Sequence, residues 1–169
     1  AWGVFAFNRL VTLRNQVRNA WADIDVQLAR RHDLVPQLVS AVKAYAAHEQ
    51  ATLTAATALR EKALAQSGPR RICEVETALE HALVQVFALQ EAYPALKASE
   101  NFLSLQQSLV EIEDHLQYAR RFYNGAVRDY NDAGQRFPDM FIANTFGFGG
   151  AEFFQAESAA RSAVAVELS

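Results

Sequence analysis

Buried metal in a helical protein is commonly held by carboxylates and Glu-x-x-His pairs on facing helices, so the four histidines of this 169-residue chain come first. The residues three positions before them are Ala29, Tyr45, Ala78 and Ile112, none of them acidic. His48-Glu49 is followed at the decisive position by Thr52, so no His-Glu-x-x-His zinc motif forms. Glu111 and His115 stand one helical turn apart and read as a pair on a solvated face. The single cysteine, Cys73, excludes an intrachain disulfide and a cysteine-based zinc site. No nucleophile elbow or phosphate-cradling glycine loop appears, and Gly147 to Gly150 follow Phe-rich sequence rather than a strand. Glu111, Glu113 and Asp114 read as wet surface. No metal, cofactor or catalytic set is predicted, and the chain reads as non-enzymatic.

Two polar groupings are less ordinary. The first predicted helix carries Asn8, Asn15, Asn19 and Asp23, and the fourth carries Asn101, Arg120, Arg121, Asn124, Arg128, Asp129 and Asn131. Asn is a mediocre helix former, so its repetition calls for a reason. Asn15, Asn19, Asp23, Arg120, Arg121, Asn124 and Arg128 are therefore candidates for a buried network that fixes register between these helices, or for a recognition face. Arg120, Arg121, Arg128 and Arg136 offer a basic stripe for anionic lipid as a further reading. Nucleic acid is not an expected partner: the net charge is −3 and no concentrated basic face is evident.

The elements behind these residues are helices. Apolar residues recur at spacings of three and four, the mark of an amphipathic helix. The first run is Leu10, Leu13, Val17, Trp21, Ile24 and Leu28. Asp33 then suits a new N-cap, with Pro36 in the first turn of a second helix that runs from Val35 to Ala63. Ser67-Gly68-Pro69 stops it. The third run is Ile72 to Tyr93, ended by Pro94, and Ser99 caps a fourth that runs from Phe102 to Tyr130, closed by Pro138. Short linkers make sequential helices antiparallel. The expected fold is all-α: an antiparallel up-and-down bundle of four long helices, with a short C-terminal helix near Asp139 to Ala143 and an irregular aromatic tail. The expected divisions are 1–7 (stub), 8–138 (bundle) and 139–169 (tail), with Ser158 to Ser169 loose or weakly helical.

The two ends of the chain are aromatic. AWGVFAF opens it without an initiator Met, as if the natural N-terminus were missing, and FPDMFIANTFGFGGAEFF holds six of the 11 Phe. The opening residues read either as the last turns of a membrane-spanning helix or as the first core residues of the bundle. The up-and-down order brings both ends together. Trp2, Phe5, Phe7, Arg9, Phe141, Phe146, Phe148, Phe153 and Phe154 are thus the candidate membrane-proximal surface, with a cap on the bundle core as the alternative. Arg9, Arg14 and Arg18 follow the stub with no acid before them, which favours a cytoplasmic domain.

The stretch NRLVTLRNQVRNAWADIDVQLARRHDLVPQLVSAVKAYAAHE resembles the N-terminal signature of the LemA family. AYPALKASENFLSLQ, ARRFYNGAVRDYN and FPDMFIANTFGFGGAEFF resemble its later blocks in the same order. The segment from Ser67 to Glu80 has no strong counterpart, and the spanning helix is absent. The resemblance implies a bacterial inner-membrane protein with one N-terminal span and a helical-bundle domain. It implies no established enzymatic activity and no catalytic residues, and some relatives take part in membrane organisation or organelle formation. The function expected is a membrane-anchored scaffold or adaptor with an unidentified protein partner. The alternative is a lipid-surface binder acting through the Phe-rich tail and nearby Arg residues. No oligomeric state follows from the sequence.

Overall fold

The computed structural model describes residues 1–155. Its elements are α1 (Trp2–Lys43), α2 (Gln50–Leu64), α3 (Pro69–Ala88), a 3-10 turn (Leu89–Glu91), α4 (Pro94–Lys97), α5 (Glu100–Gln135) and α6 (Asp139–Thr145). The fold is all-α, with no strand among the described residues. The expectation for Ser158 to Ser169 lies outside them.

Four long helices give way to two long and two shorter ones. α1 has 42 residues and α5 has 36, or roughly 63 and 54 Å of helix at 1.5 Å per residue. They pack antiparallel along their length: Trp21 meets Tyr123, and Arg31 further along α1 meets Glu113 further back along α5. α2 and α3 form a hairpin that rises and falls only beside the distal half of this pair.

The expected helix start at Asp33 is not there; α1 runs through it and through Pro36 without a break. The physical reason is local. Pro36 lacks the N–H that would bond the carbonyl four residues back, which belongs to His32. That carbonyl instead accepts Arg60 Nε from α2 at 2.7 Å. The helix break falls later, over residues 44–49, in a stretch with neither Gly nor Pro. As a result the second helix has 15 residues, Gln50–Leu64, instead of the expected run from Val35 to Ala63.

Other boundaries follow the sequence signals. Gly68 takes φ +89°, open to glycine, and Pro69 starts α3. Ser99 caps α5, its Oγ accepting the Phe102 N–H at 3.3 Å. Gly147, at φ +71°, turns the chain out of α6, and the Phe148 N–H bonds back to the Ala143 carbonyl at 2.9 Å.

The apolar core is in two parts. The distal part joins Val35, Leu38 and Val42 of α1 to the α2/α3 hairpin and to Phe102 and Leu105 of α5. The proximal part joins Leu10, Val17, Ile24 and Leu28 to Tyr123, Val127 and Tyr130, and it is closed by Phe148 and Phe154 of the tail. The tail therefore takes, beside the proximal half of the spine, the place the hairpin takes beside the distal half.

Candidate functional site

At the end of the rod where α1 begins, α6 folds against the first turns of α1. Asp139 joins them: its carboxylate accepts Trp2 Nε1 at 3.2 Å and lies 3.6 Å from Arg9 Nη1. Ile142 packs against Gly3. This latch gathers Trp2, Phe5, Phe137, Phe141 and Phe146 at one end, all exposed, with Phe5 at 68% and Phe137 at 74%. Phe137 and Phe141 stack edge to face at 5.9 Å. Single exposed aromatics are ordinary, but five at one end of a rod form a patch that water disfavours.

The structure divides the sequence-predicted aromatic surface. Phe7 is partly buried between Phe146 and Phe148, with ring centroids at 5.1 and 5.4 Å. Phe148 is buried beside it, under the Arg14 guanidinium. Phe153 and Phe154 are not at the end at all. After Gly147 the tail doubles back along the spine, so Phe154 sits 3% exposed against Trp21 of α1 and beneath Arg120 of α5. From Trp2 to Trp21 is about 28 Å of helix. For Phe148 and Phe154 the core reading is the correct one.

The Asn and Arg residues separate in the same way. Asn15, Asn19 and Asp23 face outward on α1 and reach no partner on α5. Asn124 and Asn131 instead hold the tail backbone: Asn131 bonds both the N–H and the carbonyl of Ala151, and Asn124 both those of Phe154. Tyr123 Oη donates to the Glu152 carbonyl at 2.6 Å. Burial and the nearby Glu152 carboxylate push the Tyr123 hydroxyl up to about 12, so it remains a donor. Glu152 in turn accepts the Arg70 N–H at the start of α3, where the free N–H groups and dipole of a helix favour an anion. Arg121 and Arg128 are exposed, so they and the half-buried Arg120 form no single network.

The buried polar network lies elsewhere. Arg31, 1% exposed, donates Nη2 to Glu76 Oε2 at 2.6 Å and Nη1 to Glu113 at 2.7 Å. His32 Nε2 bonds the other Glu76 oxygen. Burial raises the Glu76 carboxyl, but the His32 bond and the Arg31 charge outweigh it and hold the group below its usual range. At Glu113 burial, reinforced by Glu80, outweighs Arg31 and the carboxyl is raised. A carboxylate held low and bonded on both oxygens is a poor general base, although it lines a cavity of about 260 Å³ shared with Asp25, Asp33 and Arg60. Among the described residues no group of three or more His, Cys, Asp or Glu is placed to hold a metal. Three of these residues are visible in the sequence as charges at core phase: Arg31 and His32 fall between Leu28 and Val35, and Glu76 between Cys73 and Leu79.

Among the described residues nothing covers the opposite face of the α1/α5 pair. Val26, Tyr118 and Phe122, all exposed, line a groove of about 380 Å³ with Asp23, Gln27 and His115. His115 Nδ1 lies 3.0 Å from the backbone carbonyl of Glu111, so the expected side-chain pair is replaced by a contact within one helix turn.

The LemA family model matches residues 20–168 of this architecture. The chain belongs to the LemA family. Curated relatives include Magnetosome protein MamQ 1 and Magnetosome protein MamQ 2 of Paramagnetospirillum magneticum, each 25% identical over 179 aligned residues. Magnetosome protein MamQ of Magnetospirillum gryphiswaldense is 21% identical over the same length. Each alignment covers 90% of this chain and 66% of the relative, so the chain spans just under two thirds of their length. The span matched by the LemA family includes the Arg31–Glu76 network, Asn124, Asn131 and the tail; the aromatic start of α1 precedes it. No described helix is long and apolar enough to cross a membrane.

Proposed function

We propose that this LemA-family chain is a membrane-associated, non-catalytic rod whose aromatic end meets the lipid surface. The observation that carries this is the patch of Trp2, Phe5, Phe137, Phe141 and Phe146, exposed together at the end where α1 begins. Amphipathic aromatics favour the headgroup boundary, and the exposed Arg136 beside them suits anionic lipid. LemA membership supports the same reading, through the N-terminal membrane span that the family resemblance implies. The domain would then stand on the cytoplasmic side, as the arginines after the stub suggest.

Flotation with vesicles of phosphatidylcholine and phosphatidylglycerol tests this. Phe137→Ser, Phe141→Ser, Phe146→Ser together should lower the bound fraction, with partitioning down roughly tenfold or more, since each buried ring is worth about 1.5–3 kcal/mol. Equal flotation of this variant and the unaltered chain would sink the site.

The groove around Val26, Tyr118 and Phe122, three exposed apolar side chains, favours a second reading, a scaffold that binds a protein partner along its side. A photo-crosslinking residue at Tyr118 should then trap a defined product in cells that the same residue at exposed Val84 does not. Identical products from the two positions would speak against it.

A further inference from the structure

The tail is held by its backbone. Asn131 Oδ1 accepts the Ala151 N–H at 2.8 Å, and Nδ2 donates to the Ala151 carbonyl at 3.0 Å. Asn124 repeats both bonds on Phe154 at 2.9 and 3.3 Å. The two asparagines are separated by about 10.5 Å along α5. Three residues of fully extended chain cover about 10 Å, so the stretch from Ala151 to Phe154 runs nearly straight between them. Clamps of this kind read an extended main chain and are indifferent to the side chains at those two positions.

Side chains enter at two sockets. Phe148 enters one, made by Phe7 and Arg14, and Phe154 the other, made by Trp21 and Arg120. Each socket offers an aromatic edge from α1 and a guanidinium over the ring, within about 6 Å, where attraction is felt. One face of α1/α5 thus has two backbone clamps and two aromatic sockets. Only the turn at Phe146-Gly147 joins its occupant to α6.

We propose that this face is a receptor for an extended peptide, and that its occupant in trans is the tail of a second copy of the chain. An unrelated peptide must compete with a tethered tail whose effective concentration is on the order of millimolar. Two copies that exchange tails reciprocally refill both grooves with the same bonds and forfeit none of them. Exchange of an identical element across a short hinge is a low-cost route to a dimer.

Two variants of the chain separate groove from tail. Asn124→Ala with Asn131→Ala disables the clamps. Ala151→Pro with Phe154→Ser disables the tail, because proline has no N–H to donate. Mixed and followed by sedimentation velocity, they should form a one-to-one heterodimer that neither forms alone. A labelled peptide of residues 146–155 should bind the tail-disabled chain at least about tenfold more tightly than the unaltered chain. Methylating its amides at the positions of Ala151 and Phe154 removes two hydrogen bonds and should weaken it roughly tenfold or more. Helical circular dichroism checks the fold; if Phe154→Ser disturbs it, Ala151→Pro alone serves as the tail-disabled chain. Peptide binding that ignores amide methylation would overturn the clamps. Peptide binding without any heterodimer would overturn the second copy as occupant.

Discussion

Glu76→Gln changes one atom at the seam between the two cores and removes the charge that faces both Arg31 and His32. Glu76 is 2% exposed and Arg31 1%, so neither charge is relieved by water. Removing one partner of a buried ion pair costs about 3–5 kcal/mol. Arg31 keeps Glu113 at 2.7 Å, which places this case at the lower end, about 3 kcal/mol. At this chain length the melting temperature falls roughly 2–4 °C per kcal/mol, so roughly 6–12 °C is expected at pH 7. The pH dependence gives the sharper result. The folded Glu76 carboxyl is held below its unfolded value, so its contribution is full above about pH 5 and is lost as pH falls through the lower, folded value. Glu113 has the opposite sign, its raised carboxyl favouring stability at lower pH; that trend is common to both proteins and largely cancels in their difference. Urea titrations of the two proteins from pH 7 to pH 3, followed at 222 nm, should show a gap that closes with acid. A gap below about 1 kcal/mol at pH 7, or one that persists unchanged at pH 3, refutes the electrostatic account. The double variant Arg31→Met, Glu76→Leu should recover most of the loss, because apolar replacement of a buried pair is often neutral. Additive losses would show that the pair is not coupled.

Pro36→Ala should stabilise the chain by about 1–3 kcal/mol, since it restores a helix N–H aimed at the His32 carbonyl. Arg60→Ala should then cost less in the Pro36→Ala background than in the unaltered chain, and a double-mutant cycle with no coupling would refute the link between the two residues. Tyr123→Phe removes the bond to the Glu152 carbonyl and should cost about 1 kcal/mol at pH 7 by urea denaturation. With the folded Tyr123 pushed up to about 12 and a free tyrosine near 10, the unaltered chain should lose on the order of 2 kcal/mol as pH rises between those values, and Tyr123→Phe should show a flatter profile.

The amphipathic runs were legible because burial imposes a spacing that survives any topology. Leu10, Val17, Ile24 and Leu28 face the core as their phase requires, and Ser99 caps α5 through its own hydroxyl. Pro36 was misleading because its compensation lies on another helix: nothing near residue 36 announces that Arg60 will take up the His32 carbonyl. The true break over residues 44–49 carries no Gly or Pro to announce it. The tail was legible as aromatic but not in its path. Phe148, Phe153 and Phe154 read alike in sequence, and only the turn at Gly147 decides that the chain doubles back over the spine. Asn124 and Asn131 stand out in the sequence as poor helix formers, and their partner is the tail backbone rather than α1. Charged residues at core phase were the overlooked signal, and they locate Arg31, His32 and Glu76.

The placement of these residues separates the tasks of the rod. α2 and α3 cover one face of α1/α5 in its distal half, and the tail covers the same face in its proximal half. The Arg31–Glu76 network stands at the boundary between the two. Glu152 of the tail bonds the first turn of α3, so the two covers meet there. Losing the tail therefore exposes Trp21 and Tyr123 and also removes the anion from the start of α3, while the aromatic end beyond α6 keeps its latch through Asp139. Lipid contact at the end and tail exchange along the side draw on different residues. Variants of Phe137 and Phe141, which stack on each other and touch neither socket, should change flotation without changing heterodimer formation, and variants of Asn124 and Asn131 should do the reverse. A loss of both properties in either set would mean that end and side act as one unit, and would refute the separation drawn from the positions of Asp139 and Gly147.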